Sequence, residues 1–334
     1  MPELPSTATN CRVVITDATF GTFEIEEQIL KPLGCALSFR QCKTAAELID
    51  LTADADFVVT QFAAITANVI DAMRRARLIV RYGIGVDNVD VDAARRAGIP
   101  VCNVPDYCIA EVADHTLALA LSATRRVTTH WDRVRSGGWG MTVPPDAMKT
   151  LAEMTVGVIG FGRIGRQVVQ RLSAFGCRIR VSDPVVPAAQ IRAGGAEPAS
   201  LDDLWRESDL ITLHCPSGPQ TRRIVNADTL AKMKTGVVLV NVGRGDLVDS
   251  GDLLAALNSG KVSAAALDVW NPEPPGAESP LLKLDNVILT PHVASVSAKA
   301  VRTLRESVAN TVARAVRGEP LVNVVNGVAK ARAT

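Results

Sequence analysis

The sequence predicts an α/β protein of two domains, each built on a parallel sheet with helices packed against it. Three observations carry that expectation. Short apolar runs alternate with helical stretches along most of the chain, which is the pattern of βαβ units. A glycine-rich strand-to-helix turn begins only at residue 160, so a second series of units starts in mid-chain. At 334 residues, with 47% hydrophobic and 21% charged residues, the chain can also bury two separate cores.

In the first series, residues 12–16, 36–39, 57–60, 78–82 and 101–104 read as strands, and 24–33, 45–53, 67–76 and 91–97 as helices. A long helix is predicted over 109–126. Its second half is apolar almost all round, so it is buried on several sides, either as a core helix between domains or against a second subunit. Residues 136–145 (SGGWGMTVPP) are irregular. The second series then reads as strand 155–159, helix 163–175 and strands 178–182, 210–213, 237–242, 264–268 and 287–290. A last helix, 298–316, lies beyond the final strand and has to pack back on one of the two domains.

The charge balance is even, 36 basic against 35 acidic residues for a net +1, so nothing favours nucleic acid or a membrane surface. Residues 1–10 lack a basic start followed by an apolar run and do not read as a signal peptide. No stretch approaches the ~18 consecutive apolar residues of a membrane helix. The seven cysteines are odd in number and never spaced C-x-x-C, which argues against a disulfide framework, a zinc site or any other metal site. A reducing, cytoplasmic setting fits them best.

The turn Gly160-Phe161-Gly162-Arg163-Ile164-Gly165 follows the short apolar strand and opens a helix. In that context the first glycine permits the tight turn, the second lets backbone approach a pyrophosphate, and the third lets helix and strand pack closely. The amides at the helix start face the phosphates. Asp183 ends the next strand, 18 residues past Gly165, where a carboxylate accepts from the adenosine ribose and repels the extra phosphate of NADP. The second domain is therefore expected to be a Rossmann domain that binds NAD. Arg163 reads as an exposed contact on the phosphate side.

Open α/β sheets bind ligands beyond the carboxyl ends of their strands, and three reactive side chains fall there. Arg244 stands between Gly243 and Gly245, where its planar fork suits a carboxylate. Glu273 lies in a Trp-Asn-Pro-Glu-Pro-Pro turn, and His292 follows the last strand. A His transfers protons near neutral pH, and a Glu on its other ring nitrogen fixes the tautomer.

The segments Asn241-Val-Gly-Arg-Gly-Asp-Leu-Val-Asp249, Leu267-Asp-Val-Trp-Asn-Pro-Glu-Pro274 and Thr290-Pro-His-Val-Ala294 resemble signatures of the D-isomer-specific 2-hydroxyacid dehydrogenases. The glycine turn and Arg81-Tyr-Gly-Ile-Gly-Val-Asp-Asn88 match as well, and the likeness runs nearly end to end. The resemblance implies a flavodoxin-like substrate domain of residues 1–105 with 297–334, and an NAD-binding domain of residues 106–296. It implies that Arg244 binds the substrate carboxylate and carbonyl, that His292 is the acid/base and that Glu273 supports it. Substrate then sits between the domains, with the Ile84 and Gly85 amides offered to its carboxylate. Beside the glycine turn and Asp183, the resemblance puts Cys215, Pro216, Thr221, Val242, Gly243, Asp268 and Thr116 around the cofactor. Asp268 reads equally as a structural cap. His214 is expected to pack on the cofactor side and His115 to be a packed or interfacial group, while His130 precedes Trp131 in a polar stretch. Homodimers are implied too, through the nucleotide domain and the helix after Pro105.

The implied reaction is hydride transfer between NAD and C2 of a small 2-hydroxy or 2-oxo acid. Phosphoglycerate dehydrogenases of this kind place an Arg after the third strand, where this chain has Val59-Thr-Gln-Phe62, and the chain ends at Thr334 without an appended regulatory domain. Both features argue against 3-phosphoglycerate. The segment Asp106-Tyr-Cys-Ile-Ala-Glu-Val-Ala-Asp114 is closest to the C-terminal-binding-protein group, so an NAD(H)-sensing protein-binding module is the alternative. Those corepressors carry a Trp three residues past the His, where Ser295 stands here. The β-hydroxyacid dehydrogenases are a third class, set aside because they begin with their glycine turn.

Overall fold

The computed structural model describes residues 11–332 of the chain. Residues 1–10, read above for signal-peptide character, lie outside the described residues. The chain divides into two units, residues 1–107 with 297–334, and residues 108–296.

The first unit runs β1 (Cys11–Ile15), α1 (Glu24–Leu30), β2 (Cys35–Phe39), α2 (Ala45–Thr52), β3 (Phe57–Thr60), α3 (Ala67–Asp71), β4 (Leu78–Arg81), α4 (Val91–Arg96) and β5 (Val101–Cys102). The strands are all parallel in the order β2-β1-β3-β4-β5, the flavodoxin-like winding. Neighbouring side chains on a strand point to opposite faces, so a sheet covered on both sides needs continuous apolar runs. Val13, Phe57 and Leu78 accordingly pack against Leu304, Val308 and Val312 of the helix Ala298–Val316. Their neighbours Val14, Val58 and Ile79 pack on the other face against Leu48, Leu51 and Val69. A buried ion pair reinforces the C-terminal helix: Arg305 donates to both oxygens of Glu26 at 3.0 and 2.7 Å, and the Tyr82 hydroxyl joins it at 2.9 Å.

Three elements are shorter than their apolar patterns suggest, each because the backbone finds other partners. The helix expected over 67–76 stops at Asp71, since Arg74 N donates to Ala53 O and Arg77 N to Asp56 O. The helix expected over 24–33 ends at Leu30 and tightens into a 3₁₀ turn, Lys31–Leu33, around Pro32. The strand expected over 101–104 keeps two residues, because Asn103 N turns to Asn323 O and Val104 N to Gly83 O.

The second unit opens with α5 (Ile109–Thr124) and α6 (Val127–Arg135). It continues through β6 (Thr155–Ile159), α7 (Arg163–Ser173), β7 (Arg178–Ser182), α8 (Ala188–Ala193), β8 (Glu197–Pro198), α9 (Leu201–Glu207), β9 (Leu210–Leu213), α10 (Ala227–Lys232), β10 (Val237–Asn241), α11 (Ser250–Asn258), β11 (Val262–Leu267) and β12 (Val287–Leu289). The helix Ala298–Val316, α12, then returns to the first unit. The second sheet is also wholly parallel, in the order β12-β11-β10-β9-β6-β7-β8. Winding reverses beside β6, and such a switch point opens a crevice at the carboxyl edge. Helix α5 packs against α7, β10 and β11 of its own unit, which accounts for its apolar second half. Helix α6 was not expected: the long helix breaks at Arg126, whose φ of 55° leaves the right-handed region, and a second helix restarts. Among the described residues no helix is long and apolar enough to cross a membrane.

Candidate active site

The glycine turn is built from close approaches. Gly160 has φ 96°, a conformation L side chains rarely adopt, and a Cβ there would lie 2.7 Å from the His214 backbone. A Cβ on Gly165 would lie 2.1 Å from Gly160 O, so α7 reaches this close to the strand only with glycine. Gly162 is the opposite case, with no atom within 4 Å of the position its Cβ would take. It caps α7 without a side-chain hydrogen bond, which leaves the first amides of the helix for a ligand.

Asp183 anchors this turn. It accepts from Phe161 N at 2.7 Å and from Val185 N and Val186 N at 2.8 and 2.9 Å. Burial works against its charge, but the three amides and the nearby Arg166 outweigh burial and hold the carboxyl below its usual range. An open cradle, an uncapped helix start and an ionised strand-end acid fit the pyrophosphate and ribose of NAD. Arg163 is exposed and Ile164 half-buried at the start of α7.

His214 closes the floor. Its ring is bonded to Thr212 Oγ1 at 2.9 Å, and burial pushes it down to about 3, so it is neutral at working pH. Burial likewise pushes the Cys215 thiol up to about 11. Thr221 Oγ1 donates to Pro216 O at 2.6 Å and braces that loop. Val242 is buried, and Gly243 N donates to Asn241 Oδ1 at 3.0 Å. Thr116 is buried in α5 with its hydroxyl given to Val112 O at 2.7 Å.

The reactive side chains come from three adjacent strand ends. After β10, Asn241 clamps the loop, donating from Nδ2 to Arg244 O at 2.8 Å while accepting from Gly243 N. Gly245 permits the loop to lie on the next one, since a Cβ there would be 1.8 Å from Trp270 O. After β11, Glu273 accepts from Trp270 N at 3.3 Å through one oxygen and is hydrogen-bonded to His292 Nδ1 through the other. Burial works to raise the Glu273 carboxyl. The His292 hydrogen bond and charge, the Trp270 amide and Arg244 together overcome it, and the carboxyl lies below its ordinary value. A carboxylate on Nδ1 assigns the ring tautomer and leaves Nε2 for other partners.

His292 is held in an unusual backbone conformation, φ 54°, outside the range non-glycine residues favour. Asp268 sustains it. This residue is fully buried: its carbonyl accepts from His292 N at 2.8 Å, and its carboxylate accepts from Thr290 Oγ1, Val293 N and Ala294 N at 2.5, 2.9 and 2.9 Å. His115 of α5 adds a contact to Thr290 Oγ1 at 3.2 Å. The Asp268 carboxylate therefore caps the His292 loop with both of its oxygens. Thr290 and Asn241 went unremarked in the sequence although both stand in the motifs quoted above. Their signal was proximity to Arg244 and His292 within those motifs. Ile84 and Gly85 follow β4 in the first unit, where Asn103 Nδ2 donates to Ile84 O at 2.6 Å.

Residues 117–294 match the family model of the D-isomer specific 2-hydroxyacid dehydrogenase NAD-binding domain. The chain is 40% identical, over 85% of its length, to a D-3-phosphoglycerate dehydrogenase of Methanocaldococcus jannaschii, covering 54% of that protein. It is 39% identical to a hydroxypyruvate reductase of Thermotoga maritima, over 77% of this chain and 83% of that one. A solved D-lactate dehydrogenase of Aquifex aeolicus, complexed with NAD and lactic acid, superposes with a TM-score of 0.81 at 30% identity, covering 91% of this chain and 95% of its own. The chain spans about half the length of the phosphoglycerate dehydrogenases it matches. With the glycine turn, Asp183 and the Arg244, Glu273 and His292 loops in these positions, the chain belongs to the D-isomer specific 2-hydroxyacid dehydrogenase family.

Proposed function

We propose that this chain is an NAD-dependent dehydrogenase that moves a hydride between the nicotinamide and C2 of a small D-2-hydroxy or 2-oxo acid. The observation that carries this reading is the Glu273–His292 hydrogen bond on Nδ1, fixed by buried Asp268 in the row of strand ends that also bears Arg244. When bound, NAD supplies or accepts the hydride at C4 of its nicotinamide. The uncapped amides of α7 hold its pyrophosphate and Asp183 its adenosine ribose.

His292 acts as acid and base through Nε2. In the reducing direction it donates a proton to the oxygen forming at C2, and in the oxidising direction it removes that proton. Glu273, ionised through the working range, fixes the plane and the tautomer of the ring through its hydrogen bond to Nδ1. Arg244 pairs with the substrate carboxylate and stabilises negative charge on the C2 oxygen. The proposed substrates are unphosphorylated, since Gln61 and Phe62 follow β3 and the neighbouring Arg81 gives its Nε to Gln61 O at 3.1 Å.

We further assign a homodimer and a cytoplasmic setting. The dimer is supported by the aromatic and apolar side chains that α6 and its following loop leave outside, Trp131 at 56% and Trp139 at 84% exposure with Val134 and Met141. Sedimentation velocity tests it, and a monomer at micromolar concentration overturns it. The cytoplasmic setting rests on the seven cysteines, all of them free thiols.

The deciding experiment is an NADH-oxidation screen over glyoxylate, hydroxypyruvate, pyruvate, bulkier 2-oxo acids and phosphohydroxypyruvate. Turnover on an unphosphorylated 2-oxo acid is expected. NADH binding without turnover on any of them, together with capture of a specific peptide, overturns the enzyme reading in favour of the NAD(H)-sensing module.

A further inference from the structure

The second unit has a cavity of about 230 Å³ at the amino-terminal edge of its sheet. It is lined by Val237 and Val238 at the start of β10, Asp209 just before β9, Met154 just before β6 and Ser263 near the start of β11. Arg244, by contrast, follows the carboxyl end of β10. A five-residue strand separates the two edges by roughly 16 Å, so this cavity is distinct from the candidate active site.

Its chemistry is cationic. Among the described residues, Arg126, Lys149 and Lys234 line it together with one carboxylate, Asp209. Lys149 and Lys234 donate to Asp209 at 3.4 and 3.1 Å, and the remaining demand on that carboxylate is Thr155 N at 2.9 Å. Arg126 has no part in this network. It is 9% exposed, and among the described residues its guanidinium has neither a hydrogen-bond nor an ion-pair partner. Burial lowers its pKa, which marks the cost of holding a cation there. Its backbone is also in the left-handed region, φ 55°, where an arginine is disfavoured. Arg126 is thus held in the cavity wall with donors that no described side chain or carbonyl takes up.

We propose that this cavity is a second ligand site, one that binds a phosphate group, with Arg126 as its principal donor and Lys149 and Lys234 as flanking cations. Among the described residues, three cations face one carboxylate, and that positive excess matches a phosphate group better than a single carboxylate. Guanidinium forks bind phosphate bidentately, and Arg126 has its donors uncommitted. The volume holds inorganic phosphate with water, or the phosphoryl end of a small metabolite.

The test is calorimetric titration of the full chain at constant ionic strength, with inorganic phosphate in one arm and glycerol 3-phosphate in the other. Arg126→Met and Lys234→Met are compared with the parent protein. Both leave the glycine turn intact, so phosphate binding there is common to all three. Loss of one charge-assisted contact is expected to weaken the tighter ligand at least about tenfold in Arg126→Met, and severalfold in Lys234→Met. Tighter binding of the free anion identifies inorganic phosphate as the ligand, and tighter binding of the ester identifies a phosphorylated metabolite. Should Arg126→Met not fold, Lys234→Met decides. Equal affinities in the parent and the folded variants, or no binding of either probe by the parent, overturns the proposal. The result is independent of whether the chain turns over any 2-oxo acid.

Discussion

Each unit buries one carboxylate at the carboxyl edge of its sheet and uses it to hold a loop. In the first unit Asp17, 3% exposed, accepts from the Thr16 and Thr60 hydroxyls at 2.9 and 3.2 Å and from the Gln61 and Phe62 amides at 2.9 and 2.5 Å. In the second, Asp268 accepts from the Thr290 hydroxyl and the Val293 and Ala294 amides. The device is the same, a buried carboxyl group that takes up the backbone amides of the loop beside it. What the loops present differs. Gln61 and Phe62 have no proton to exchange, whereas His292 does. The comparison teaches that the strand-end carboxylate supplies rigidity, and that reactivity comes from the side chain the loop carries.

The largest expected effect falls on that side chain. His292→Asn removes the proton donor while keeping a polar group of similar size, and kcat for the 2-oxo acid should fall by a factor on the order of 10²–10⁴. NADH affinity, followed by fluorescence titration, should change less than about twofold, because the glycine turn and Asp183 are untouched. Unaltered turnover would show that the proton travels by another route.

The carboxylates come next. Asp268→Ala and Asp17→Ala each strand two backbone amides without their acceptor, and each should cost roughly 2–5 kcal/mol. Hydrogen exchange should locate the damage, at Val293 and Ala294 in one variant and at Gln61 and Phe62 in the other. Asp268→Ala should in addition lower kcat more than it raises KM, because it frees the loop that carries His292. Full kcat in a folded Asp268→Ala protein would reduce Asp268 to a purely structural group.

The two sheets were legible in the sequence because strands covered on both faces have to be apolar at every position, as in Phe57-Val-Val-Thr60 and Val237-Val-Leu-Val-Asn241. Helix ends were harder. Residues 72–76 keep an apolar pattern, yet Arg74 and Arg77 give their amides to Ala53 and Asp56, partners that folding alone brings near. Helix α6 has apolar residues at helical spacing, Val127, Trp131 and Val134, but none is buried, and the break from α5 at Arg126 depends on a left-handed backbone that an arginine does not announce. Asp183 was legible as a strand-end acid from its spacing, but its bonds to Phe161, Val185 and Val186 depend on the turn being formed. Asp268 was visible only as a strand-end acid. Its role rests on Thr290, Val293 and Ala294, 22–26 residues onward, and on His115 from a different helix.

Glu273 sharpens the comparison through pH, since the Asp17 loop has no titrating pair of this kind. Its folded carboxyl lies below the ordinary value, held there against burial by His292. Such a group adds stability above its unfolded pKa of about 4.3, and the contribution is lost as pH falls through the lower folded value. The difference in Tm between the parent and Glu273→Gln should therefore be constant near neutrality and close under acid conditions. kcat should fall about tenfold, since Gln still accepts from Nδ1 but offers no charge to the imidazolium. A Tm difference that widens as pH falls would contradict the ionised pair.

The smallest effect separates the two loops most cleanly. Thr60→Val removes one of four donors to Asp17, and Thr290→Val one of three to the Asp268 carboxylate. Each deletes a hydrogen bond while keeping side-chain volume, so each should cost only about 1 kcal/mol in denaturant titration. Their consequences for turnover should diverge. Thr290 stands two residues before His292 and also meets His115 Nε2, so its loss loosens the segment that aims the imidazole. A severalfold fall in kcat is expected for Thr290→Val, with KM nearly constant, whereas Thr60→Val should leave kcat in place. Equal kcat in the two variants would mean that Asp268 holds His292 through the Val293 and Ala294 amides alone, and that the Thr290 hydroxyl contributes stability without alignment.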